Sequence, residues 1–170
     1  GTVLWVHRGR DGSLVVQLGL RVRWFDLPVG FAAGIATQLV LVPALYLPLR
    51  GLIDDEALSA PARELFGGMG GVELAVLGLM VVVVAPIVEE VFFRGAVLHA
   101  LRRRWSVAAA VAWSSVVFGA THFQPLQLPA LALAGAVFAV AVVRTGRLGA
   151  AIAVHAGFNA TTFFALALLQ

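Results

Sequence analysis

Five stretches of this sequence are apolar over lengths comparable to a bilayer, and no other feature restricts the fold as strongly. They run over 27–49, 72–98, 107–122, 126–143 and 148–169, against the roughly 20 helical residues that a hydrocarbon core requires. The third is short for a full crossing and is expected to tilt little, extend into its flanks or end inside the bundle. With 61% hydrophobic and 12% charged residues, 170 residues form one domain, too small to hide this much apolar surface from water. Mean hydropathy of +0.95 excludes disorder, so lipid is the solvent. The expected fold is all-α: a polytopic transmembrane helical bundle of about five spans, a single membrane domain over 1–170. The first residue is Gly rather than Met, which is the expectation for an N-terminally truncated chain.

All twelve basic residues are Arg, and their distribution orients the spans, because short cytoplasmic loops retain positive charge. With the N-terminus inside, Arg8, Arg10, Arg21, Arg23, Arg102, Arg103, Arg104, Arg144 and Arg147 are cytoplasmic, and only Arg50 and Arg63 lie outside. Asp54, Asp55, Glu56 and Glu64 fall in the outer connection between the first two spans. This predicts N-in, C-out. The high pI, about 11.0, is thus a topology signal; no nucleic-acid partner is expected. The absence of Cys excludes disulfides, thiolate catalysis and Cys-ligated metals.

All four Asp are read as loop residues, whereas Glu89, Glu90 and Arg94 sit in span two, His122 ends span three and His155 lies in span five. Ionisable side chains at such depth cost roughly 2.5–3.5 kcal/mol each on insertion scales, which makes function their default explanation. Counting at 1.5 Å per helical residue from the Arg-bearing ends gives Glu89, His122 and His155 depths of roughly 20, 25 and 12 Å, close enough to share a cavity. Glu90 and Arg94 are one turn apart, the spacing of an intrahelical ion pair. Pro86 denies the carbonyl of Val82 its helical partner, and such a kink admits water. His155 and Asn159 share one face of span five. Gly149, Ala153 and Gly157 form a small-residue stripe on another side, suited to close packing. Ser114 and Ser115 have neither a G-x-S-x-G elbow nor an intramembrane Asp and are read as packing residues.

Three motifs stand in order: Glu89-Glu90-x-x-x-Arg94, Phe118-x-x-x-His122 and His155-x-x-x-Asn159. Together they resemble the CAAX protease and bacteriocin-processing (Abi) family of intramembrane endopeptidases, over a core of 72–159. The resemblance implies that Glu89 and His122 hold and activate a water, and that His155 and Asn159 stabilise the oxyanion. Glu90 and Arg94 would brace the first motif, and Phe118 would shape the cavity. Amide hydrolysis needs such a base and such donors. No cofactor is favoured, although zinc on Glu89, His122 and His155 is a chemically adequate alternative. A proton-coupled carrier and a non-catalytic immunity or scaffold protein are the remaining alternatives. The implied partners are membrane lipid and a protein or peptide substrate, in a bacterial plasma membrane; neither substrate identity nor oligomeric state is legible.

Overall fold

A computed structural model describes residues 22–49 and 51–168. The orientation residues Arg8, Arg10, Arg21 and Arg50, with Asp11, lie outside these. Six helices are described: α1 Asp26–Leu49, α2 Asp55–Phe66, α3 Gly71–Arg102, α4 Val107–Ala120, α5 Leu128–Thr145 and α6 Leu148–Ala167, with no strand among the described residues. The fold is therefore an all-α polytopic bundle. Four helices, of 24, 32, 18 and 20 residues, are long and apolar enough to span a membrane. The exception is α4, whose 14 residues extend only about 21 Å; it starts at a Ser106 cap (Oγ accepts from the Ala109 N–H, 3.3 Å) and stops before His122.

Two sequence expectations are corrected. The connection between the first spans contains a helix, α2, capped by Asp54, whose carboxylate accepts the Glu56 N–H at 3.0 Å. Asp26 is not a loop residue: it opens α1, accepts the Arg23 N–H (2.8 Å) and takes two bonds from Arg147, Nε at 2.7 Å and Nη2 at 2.5 Å. These bonds raise the Arg147 guanidinium further above its ordinary range and fasten the start of α1 to the α5–α6 turn. That turn closes on Gly146, which adopts a left-handed φ of 68°.

In the most apolar stretch of each helix half of the α6 residues are buried, against 6% of those of α3, so α6 is the central helix and α3 the more peripheral one. The expected small-residue stripe on α6 finds its partner in Gly30 and Gly34 of α1. A Cβ on Gly34 would collide with the backbone of Val154, and one on Gly157 with the carbonyl of Phe31. The two backbones touch because neither side carries a side chain there. Leu98, Ala110 and Ala139 pack together, gathering the end of α3, the start of α4 and the end of α5. That end carries Arg102, Arg103, Arg104 and Arg144. At the opposite end, Tyr46 Oη donates to the Leu126 carbonyl (2.7 Å) and Gln127 Nε2 to the Leu58 carbonyl (2.8 Å), while Phe66 of α2 packs on Phe163 of α6 (5.4 Å between centroids).

Candidate active site

The backbone of α3 changes register twice around the glutamates. Two π-helical stretches, Met80–Val84 and Val91–Leu98, bracket the short α-helical segment Ala85–Glu90, an irregularity common at functional positions. The first moves the backbone vacancy predicted at Val82. In the π register the Ala85 N–H bonds to the Met80 carbonyl, so the carbonyl facing the N–H-less Pro86 is Val81. Asn159 Nδ2 of α6 donates to it at 2.8 Å.

Glu90 and Arg94 form the expected pair, Nη1 to Oε1 at 3.1 Å with both side chains fully buried. Arg94 Nη2 also donates to the Gly135 carbonyl of α5 at 2.6 Å, an approach that a side chain at 135 would obstruct. Its guanidinium lies 4.7, 5.4 and 5.9 Å from the ring centroids of Phe118, Phe138 and Phe93, so a cation in an apolar core is met by one carboxylate, one carbonyl and three aromatic rings.

His155 is buried beside this pair, stacked on Phe138 (4.4 Å, 19° between planes) and meeting Phe118 edge-on at 5.6 Å. Its Nδ1 is 3.0 Å from Glu90 Oε1 and its Nε2 is 3.7 Å from Glu89 Oε2. The Glu90 oxygen that meets the Arg94 guanidinium is an acceptor, so the Nδ1–H of His155 donates to it.

A cavity of about 480 Å³ lies on the α2 side of the bundle, away from the Arg-bearing end. Glu89, His122 and Asn159 all line it; His155 and Glu90 do not. His122 Nδ1 lies 2.9 Å from the Phe118 carbonyl. A carbonyl only accepts, so Nδ1 carries a proton, and in the tautomer protonated there Nε2 is an acceptor. The predicted residues thus divide into a buried cluster of Glu89, Glu90, Arg94 and His155, and a cavity wall of Glu89, His122 and Asn159. Glu89 alone belongs to both.

Phe118 lies beneath the cavity rather than on its wall, 1% exposed and with its ring against those of Phe93, His122, Phe138 and His155. The candidate zinc ligands are divided in the same way: among the described residues no group of three or more His, Asp or Glu side chains gathers as a metal site. Sequence reasoning missed Phe138 and Gly135, which cradle His155 and Arg94 from α5; the only signal was the small-residue run 134–136. It also missed Gln38 and Gln127 on the cavity wall.

Residues 71–161 match the family described as type II CAAX prenyl endopeptidase, Rce1-like. No curated protein and no solved structure matches the chain. The matched region is more than half of the 170 residues and contains all three motifs. The chain accordingly belongs to the Rce1-like family of type II CAAX prenyl endopeptidases, CAAX-type peptidases of the membrane, and is itself a multi-pass integral membrane protein.

Proposed function

We propose that the protein hydrolyses a peptide bond of a membrane-embedded or membrane-proximal substrate, with Glu89 as general base and without a resident metal. The observation that carries this reading is that Glu89 is the one carboxylate reaching both the cavity and the buried cluster. Its Oε2 is buried towards His155 Nε2, while the side chain as a whole, 29% exposed, reaches the cavity. Glu89 takes a proton from a water held by His122 Nε2, and the water oxygen bonds to the substrate carbonyl carbon. The carbonyl oxygen becomes an oxyanion and accepts from Asn159 Nδ2, which has a second N–H besides the one given to Val81. Collapse breaks the C–N bond as Glu89 returns its proton to the departing amine.

His155 takes a different part from the oxyanion role that the family resemblance implies. With both ring nitrogens facing carboxylates, it is proposed to hold the two glutamates in register. An Arg-only, apolar composition supports a bacterial plasma membrane as the setting.

Glu89→Gln is nearly isosteric and should abolish turnover, while thermal stability stays close to the parent because the side chain is 29% exposed and makes one 3.7 Å contact. Cleavage of peptides with and without a prenyl group, measured before and after exhaustive chelation, tests the chemistry. Activity lost on chelation and restored by zinc would assign the reaction to a metalloprotease. Proton flux dependent on Glu89, without proteolysis, would assign a carrier.

A further inference from the structure

Among the described residues, five buried side-chain nitrogen or oxygen atoms lack a hydrogen-bond partner, and four belong to Glu89, Glu90 and Arg94. The fifth, Gln38 Oε1, lies on another helix, in the π-helical stretch Thr37–Leu41 of α1, and its side chain lines the cavity with Glu89, His122 and Asn159. Four other polar side chains of that wall are engaged, Tyr46 with the Leu126 carbonyl, Gln127 with the Leu58 carbonyl, His122 with the Phe118 carbonyl and Asn159 with the Val81 carbonyl, and besides Gln38 Oε1 the one buried, unsatisfied wall atom among the described residues is Oε2 of Glu89, the proposed base. A Gln retained in a membrane helix as interhelical glue would hydrogen-bond a neighbour. This one lines a largely apolar cavity while its acceptor is buried and unsatisfied, an unfavourable arrangement for the protein alone.

We propose that Gln38 is a substrate-positioning residue whose carboxamide turns about its soft last torsion so that Oε1 accepts a backbone N–H from an extended peptide lying in the cavity. The chemistry selects that occupant. A hydrocarbon chain fits walls built from Val42, Leu77, Val81 and Phe158 but has no donor for Oε1. A peptide strand carries one N–H per residue, and its apolar side chains suit the same walls. A side-chain amide also matches a peptide unit, Oε1 accepting from its N–H while Nε2 donates to a carbonyl. The inference rests on the proposed peptidase reading and extends it: recognition of the main chain makes the enzyme tolerant of sequence along the strand that Gln38 grips.

The test measures binding separately from turnover. Fluorescein-labelled apolar peptides of alanine, valine and leucine are titrated in detergent against Glu89→Gln and against Glu89→Gln, Gln38→Met, together with analogues in which each amide N–H in turn is replaced by an ester oxygen. Gln38→Met should weaken binding about 3- to 10-fold, the range expected for one neutral hydrogen bond, with Tm equal to or above that of the Glu89→Gln parent. One ester position should weaken binding to the parent by a similar factor and leave the Met variant unaffected. If Gln38 is only structural, Tm falls and no ester position distinguishes the two proteins, which overturns the inference while cleavage by the wild type leaves the peptidase reading standing. Ester-sensitive binding without any wild-type cleavage keeps the Gln38 assignment and overturns the peptidase reading. If no peptide binds, both fall.

Discussion

Glu90→Gln isolates the buried ion pair, because glutamine keeps the shape and an acceptor for the Nδ1–H of His155 while removing the charge opposite Arg94. Glu90 and Arg94 are fully buried and 3.1 Å apart, so the substitution strands a guanidinium in a low-dielectric core, at a cost of roughly 3–5 kcal/mol. Three features place the expected value at the lower end of that range. Arg94 keeps its 2.6 Å bond to the Gly135 carbonyl and its three aromatic neighbours. Glu89 also leaves one negative charge within the same cluster. At roughly 2–4 °C per kcal/mol for a chain of this size, Tm should fall by about 6–12 °C for a 3 kcal/mol loss. Tryptophan fluorescence during thermal unfolding in detergent reads this shift. The combined Glu90→Gln, Arg94→Gln variant should regain stability, with a coupling of at least about 1 kcal/mol in the cycle. Additive effects, or an unchanged Tm in Glu90→Gln, would refute the view that this pair is a buried electrostatic unit.

Two further outcomes follow from the packing and the Arg distribution. Gly34→Ala drives a methyl group into the Val154 backbone and should destabilise the protein by about 1–3 kcal/mol through separation of α1 from α6, whereas Gly71→Ala, where a Cβ meets nothing, should leave Tm within 1 °C of the parent. If the N-in, C-out orientation is correct, cysteines placed at Ser59 on the cavity side and at Arg103 should label from opposite faces of the membrane, Ser59 from outside; labelling from one face, or with the sides reversed, rejects the orientation.

The spans were legible because a bilayer imposes a length on each apolar run, and α1, α3, α5 and α6 follow those runs within a few residues at most ends. Helix α2 was hidden by Pro61 and by a charge content that reads as a connection. The Asp26–Arg147 bridge joins residues 121 apart, a separation that no local pattern reports. The three motifs were legible as helical pairs, since residues four apart share a face in any α-helix. The separation of Glu89 from the Glu90–Arg94 brace was part of that reading, but the division of His155 in the core from Asn159 on the cavity wall was not, because it depends on how α3 and α6 are rotated against each other. The π-helical stretches on either side of Ala85–Glu90 alter that rotation: Glu89 turns to the cavity while Glu90 turns to Arg94 and His155.

The same change of register links Pro86 to Asn159 and separates two roles that a single substitution would confuse. Asn159 supplies the N–H that Pro86 lacks, at 2.8 Å from the Val81 carbonyl, and in the proposed reaction it also presents an N–H to the oxyanion. Asn159→Leu removes both, so lost activity alone could reflect a disturbed α3. Stranding the Val81 carbonyl should cost about 1–3 kcal/mol. Pro86→Ala restores a backbone N–H at the position facing that carbonyl in the π register. In that background the stability lost through Asn159→Leu should shrink towards zero, because the carbonyl has a partner within its own helix. Turnover should not return, because the restored N–H is committed to Val81 and no donor replaces Asn159 at the cavity wall. If the Pro86→Ala, Asn159→Leu protein is both stable and active, Asn159 serves the helix and the oxyanion must be held elsewhere. If stability is not recovered, the vacancy at Val81 is not what Asn159 fills.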